Sequence, residues 1–170
     1  MTFGFSPRVL IINQQKNADY ESDNVKDKNN ILNYNLWSMG DYSNTLGFNN
    51  NGGTGLTVVR NNEWAVNGSY SAKATFSTDG YIRYKMDDAS SLAGKQVSFK
   101  ANVKNNSSVR LDLFEYYENN FHIHSTLIPG NSNNLFSVTV KLNEDTSKLL
   151  LSINSTGLNV VYTDNWQLIV

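Results

Sequence analysis

QVSFKANVK, running from Gln96 to Lys104, sets Val97, Phe99, Ala101 and Val103 at alternate positions and Gln96, Ser98, Lys100, Asn102 and Lys104 between them. Successive side chains of a strand point to opposite faces of a sheet, so this segment reads as a strand with one apolar face and one wet face. LFSVTVKL (Leu135 to Leu142) repeats the pattern, with Phe136, Val138, Val140 and Leu142 inward and Ser137, Thr139 and Lys141 outward. Six further runs in or near period two are YSAKATF (Tyr70 to Phe76), YIRYKM (Tyr81 to Met86), VRLDLFEYY (Val109 to Tyr117), FHIHSTLI (Phe121 to Ile128), LLLSIN (Leu149 to Asn154) and VVYTDNWQLI (Val160 to Ile169). Clusters of Asn, Gly and Ser separate them, which is strand-and-turn punctuation, and no helical period of three turns interrupts it. Eight strands exceed what one open sheet needs. The pattern predicts an all-β protein, an antiparallel β-sandwich of the jelly-roll kind.

The rest of the chain bounds the possibilities. A chain of 170 residues can bury roughly 70% of its unfolded surface in one core, so it needs no staple to fold. There is no Cys, which removes thiol nucleophiles and thiolate metal sites. A formal net charge of -1 argues against a nucleic-acid partner, because phosphate capture needs an excess of Lys and Arg. No run of 18 apolar residues occurs, so no membrane span is expected, and Met1 to Gln15 lacks the basic region and cleavage site of a signal peptide. The stretch before Asn30, where the apolar run Val9 to Ile12 precedes NQQKNADYESDNVKDKNN, reads as an arm or linker over residues 1-30, with the sandwich over 31-170. An apolar run cut off from the core in this way is expected to pair with another protein chain, including a second copy in a homo-oligomer. The 26 Asn and the 12% of aromatics suit recognition of neutral polyols, and an AT-rich coding sequence enriches the same residues, so composition leaves both readings open.

One strand carries more chemistry than the others. Val109, Leu111 and Leu113 commit one face of the run Val109 to Tyr117 to the core, which leaves Arg110, Asp112, Phe114 and Tyr116 on the other. A flat ring beside directional donors and acceptors is what a sugar requires; a surface Arg110 and Asp112 pair beside rings packed under a loop is the alternative. Tyr81, Trp64 and Trp37 are candidates to join that face, whereas Trp166 shares its face with Leu168 and is expected in the core. His122 and His124, two apart on a strand, lie on one face, where they could bind a glycan or, with Asp112 or Glu115, a divalent metal. Asp87, Asp88, Glu144 and Asp145 fall in turns and form no pair flanking a bond, and there is no G-x-S-x-G elbow, so nothing indicates an enzyme.

Three segments together resemble the carbohydrate-binding modules of glycoside hydrolases of the family 4, 9 and 22 type: NGSYSAKATF (Asn67 to Phe76), LAGKQVSFKANVK (Leu92 to Lys104) and NVVYTDNWQLI (Asn159 to Ile169). The family's "G-x-Y-S-x-K", "G-K-x-Y-x-F-S-x-x-V-K" and closing "Y-x-D-x-x-x-L" are matched by Gly68, Tyr70, Ser71, Lys73, Gly94, Lys95, Phe99, Val103, Lys104, Tyr162, Asp164 and Leu168. The resemblance implies a jelly-roll frame over about 31-170, of a kind that phage tail and baseplate proteins also use. It implies a carbohydrate partner and a structural calcium ion near Asp164, with Asn67 and Ser69 giving carbonyl oxygens. Where the family has N-G-x-F-E the chain has NYNLWSMGDYSN without a Glu, so Asp41 or Glu63 would have to substitute. The expected function is therefore a non-catalytic glycan-binding module on a virion or cell-surface assembly, extracellular or virion-borne. A structural or adhesion component of a phage virion without glycan binding is the alternative.

Overall fold

The computed structural model describes residues 48–49, 56–66 and 71–170. Ten strands occur among them: β1 (Phe48–Asn49), β2 (Leu56–Asn61), β3 (Ser71–Phe76), β4 (Gly80–Met86), β5 (Gln96–Asn105), β6 (Val109–Tyr117), β7 (Asn120–Ile128), β8 (Asn133–Lys141), β9 (Thr146–Ser155) and β10 (Asn159–Ile169). They form two antiparallel sheets, one in the order β1-β4-β9-β6-β7 and the other β2-β3-β10-β5-β8. This is the expected β-sandwich. The arm over residues 1-30, with Val9 to Ile12, and also Trp37, lie outside the described residues.

Between the sheets sits a single apolar cluster. The first sheet contributes Ile82, Leu111, Leu113, Leu149, Leu151 and Ile153; the second contributes Phe76, Val97, Phe99, Val103, Val161, Trp166 and Leu168. The alternation in β5 and β8 holds as read, because Val97, Phe99, Ala101 and Val103 are buried and Ser137, Thr139 and Lys141 are exposed. Strand β2 was not among the eight runs, since Val58 and Val59 are adjacent and blur its period.

Two backbone irregularities aim side chains. In β10 the pairing with β5 runs Asp164 to Asn102 and then Gln167 to Lys100, so β10 carries one extra residue there. Asn165 takes it up at φ 51°, a left-handed conformation that Asn tolerates better than most residues. The bulge changes the parity of the strand: Val161 and Thr163 face the core before it, Trp166 and Leu168 after it. Gly94, two residues before β5, sits at φ 71°, a left-handed conformation that strains any residue with a Cβ, so the LAGK turn requires glycine there.

Candidate functional site

The outer face of the first sheet brings together residues from four strands. Tyr81 on β4 pairs with Asn154 on β9, which pairs with Arg110 on β6, which pairs with Leu127 on β7. The next row is Arg83, Ser152, Asp112 and Ser125, and the one after it Lys85, Leu150, Phe114 and Ile123. Lys148, Tyr116 and Phe121 close the array. Arg110, Asp112, Phe114, Tyr116 and Tyr81 thus share one face. A strand rises about 3.4 Å per residue, so Arg110 and Tyr116 stand about 20 Å apart, a span for several sugar units.

Each end of the array offers different chemistry. At one end the rings of Tyr116 and Phe121 stack with centroids 5.7 Å apart, and the Lys148 ammonium lies 5.0 Å from the Tyr116 ring. Phe121 is 58% exposed, and Leu127, at the far end, is 65% exposed. The far end is a depression of about 170 Å³ lined by Ser108, Val109, Arg110, Leu127, Asn154 and Thr156. Apolar ring faces at one end and an amide with a guanidinium at the other are the two kinds of contact that sugars use.

Asp112 lies between the ends and departs from the sequence expectation. Its side chain is 0% exposed, so the pair with Arg110, 3.2 Å from Nη2 to Oδ2, joins a buried carboxylate to a guanidinium that is 56% exposed. Asn154 donates a second bond to the same oxygen at 2.6 Å, and Oδ1 is buried without a partner. A shielded carboxylate oxygen without a donor costs free energy unless a ligand hydroxyl or water reaches it. Arg83 on the same face is the second such group, its Nε buried and unpartnered.

His122 and His124 do not join this face. The register sets His124 opposite Leu113 and His122 opposite Glu115, on the inward-pointing side of the first sheet. Glu115, 1% exposed, accepts from the Asn143 amide N–H at 2.6 Å and from the Thr146 hydroxyl at 2.6 Å on Oε1, and from His124 Nε2 at 2.9 Å on Oε2. Burial pushes its carboxyl up, but the bonds from Thr146, Asn143 and His124 outweigh it, and the net displacement is below the ordinary 4.5. The carboxylate is therefore ionised, and His124 Nε2 carries the shared proton. The His122 ring stacks on His124 at 4.6 Å and 5°. Asp112 faces the other way and cannot complete a metal site here, and among the described residues no cluster of three His, Asp or Glu is placed to hold a metal.

Trp64 lies on the opposite side of the sandwich. It follows β2, donates from Nε1 to Asn133 at 3.0 Å, and its ring is 6.2 Å from that of Tyr162 on the second sheet. Lys73, at 2.8 Å, and the Tyr162 hydroxyl, at 2.6 Å, bond the same oxygen of Glu63 and hold its carboxyl down at about 2. Asp164 accepts from Val66 N–H at 2.8 Å and Asn165 N–H at 2.7 Å, one amide on each oxygen. Asn67, Ser69 and Asp41 lie outside the described residues. Of the turn carboxylates, Asp87 has partners after all, Lys85 at 2.7 Å and Lys148 at 3.9 Å. Arg83, Ser152, Asn154 and Phe121 were missed as site residues; the alternation in YIRYKM and LLLSIN put Arg83, Ser152 and Asn154 outward, but only strand register sets them beside Arg110 and Asp112.

No family model and no curated protein matches the chain. Solved structures do match. The enzymatically active domain of tailspike protein 4 of bacteriophage CBA120 superposes with a TM-score of 0.66 at 15% identity, over 89% of this chain and 23% of that one. The CBM22-1 and GH10 modules of a Clostridium thermocellum endo-1,4-beta-D-xylanase, complexed with xylohexaose, give 0.55 at 15% identity, over 73% of this chain and 26% of that one. TmCBM61 in complex with beta-1,4-galactotriose gives 0.56 at 15% identity, over 82% and 97%. The chain spans about a quarter of the tailspike and xylanase chains it matches. It has the jelly-roll β-sandwich fold of these carbohydrate-binding modules.

Proposed function

We propose that this chain is a non-catalytic glycan-binding module, and that its ligand is a saccharide chain lying along the outer face of the first sheet. The observation that carries the reading is the array itself: the half-exposed Arg110 guanidinium, held with Asn154 by the buried Asp112, shares one outer face with the rings of Tyr81, Phe114 and Tyr116. A sandwich needs no buried acid on its solvent side for stability, since an apolar residue there would be cheaper to desolvate. The Arg110 guanidinium and the Asn154 amide, both held by Asp112, offer a sugar its polar contacts, and the rings supply the apolar contact. The likeness to the tailspike and to carbohydrate-binding modules supports the reading and suggests an extracellular or virion-borne setting. Replacing Tyr116 by Ala removes ring contact of about 1–3 kcal/mol, so glycan affinity should fall roughly tenfold to a hundredfold while melting changes little. Binding measured on a glycan array before and after the substitution checks this, and equal binding would remove the face from the account.

A calcium ion at Asp164 is part of the same proposal. Asp164 is a carboxylate, the usual kind of calcium ligand, at the position where the resemblance places the ion. Melting should occur at a higher temperature in millimolar calcium than in chelator; equal melting would leave Asp164 as a tie between β10 and the segment after β2. One observation favours a structural role instead: Phe121, Ile123 and Leu127 are exposed on β7, an edge strand. A chain that self-associates through β7 and ignores every glycan would support that second reading.

A further inference from the structure

Arg83 points to the chemical class of the glycan, an inference that rests on the outer-face reading. From β4 its side chain reaches across β9, and the guanidinium carbon lies 3.8 Å from the Tyr81 ring centroid and 4.8 Å from that of Phe114 on β6. It makes no ion pair or hydrogen bond among the described residues; Nε is sealed off, so the terminal nitrogens are the part open to a ligand. The two acids of the face are already committed elsewhere. Asp112 holds Arg110 and Asn154 on Oδ2, and Asp87 lies between Lys85 and Lys148. Among the described residues Arg83, Lys85, Arg110 and Lys148 therefore face only Asp87 and Asp112, a local excess of positive charge in a chain whose formal net charge is -1.

We infer that the bound glycan is acidic, and that a sugar carboxylate accepts hydrogen bonds from the terminal nitrogens of Arg83. The planar fork of a guanidinium matches a carboxylate, and packing against two rings holds that fork in place before the ligand arrives. Neutral hydroxyls would leave the charge of Arg83 uncompensated beside a buried Nε. The negative charge of Asp112 on the same face disfavours a second carboxylate beside it, which directs the acid group to the Arg83 side.

The test uses the full chain and a panel of carboxylated polysaccharides (polygalacturonate, alginate, hyaluronate and polysialate), each beside its carboxyl-reduced form, with a sulfated polymer as a further arm. At least one acid should bind about tenfold or more tightly than its reduced form, the size of one charge-assisted pair, and added salt should shrink the gap. Arg83→Gln should bring that ratio close to one with melting retained, and Arg83→Lys, which keeps the charge and loses the fork, should fall between. Tyr116→Ala should weaken both members of a pair alike. Equal binding of acid and reduced forms throughout, a preference confined to the sulfated polymer, or an acid preference that survives Arg83→Gln would overturn the inference while leaving the face reading intact. A Tyr116→Ala chain that binds the panel unchanged would overturn the face reading itself.

Discussion

Glu115→Ala is expected to destabilise the fold by about 3–5 kcal/mol, the cost of breaking a buried charged network by removing one partner. Glu115 lies on the core-facing side of β6, where alternation demands an apolar residue, and it is tolerated because Asn143, Thr146 and His124 fill its lone pairs. Without it the Asn143 N–H loses its acceptor and His124 its partner, while the buried Thr146 hydroxyl keeps only its bond to the Asn143 carbonyl at 2.9 Å. The same network makes stability depend on pH. The folded carboxyl titrates below its ordinary 4.5, so its contribution is fully present above that value and is lost as pH falls through the folded pKa. Denaturant unfolding at pH 7 should show the large deficit in the variant, and as pH falls below about 4.5 the wild type should lose part of that difference. A variant as stable as wild type at neutral pH would show that the network contributes nothing.

Trp166→Ala should cost a similar amount, about 3–5 kcal/mol, for a different reason. The indole is 0% exposed, packs edge-on against Phe99 at 5.1 Å, and donates from Nε1 to the Thr163 hydroxyl at 2.6 Å. Truncation opens a cavity between the sheets and removes the indole bond, while the Thr163 hydroxyl keeps its bond to the Asn102 carbonyl at 3.0 Å. Trp166→Phe keeps most of the volume and loses the bond, so it should cost clearly less. Thermal melting of the two variants checks the order, and equal losses would place the effect outside packing.

These two residues show what could and could not be read from the sequence. The burial of Trp166 was legible because it shares parity with Leu168 beyond the bulge. The bulge itself was not, since one Asn at position 165 gives no period, and only pairing with β5 exposes the extra residue. Glu115 continues the parity of Val109, Leu111 and Leu113, so its inward direction was legible too; what makes a buried acid affordable there comes from Asn143 and Thr146, some thirty residues on. Among site residues, Arg110, Asp112, Phe114 and Tyr116 were found together because they alternate within one strand. His122 and His124 were read correctly as sharing a face, but which face follows from the register of β7 on β6. Trp64 sits in a loop, where no period operates, and its sheet became visible only through Asn133 and Tyr162.

Ligand-induced amide shifts, recorded by NMR as the best-binding saccharide is titrated into the full chain, test the central claim most directly. With the saccharide on the outer face of the first sheet, the perturbed amides cluster around Tyr81 to Lys85, Arg110 to Tyr116, Phe121 to Leu127 and Lys148 to Asn154. Shifts confined to the other side of the sandwich, around Trp64, Lys73 and Tyr162, would contradict it.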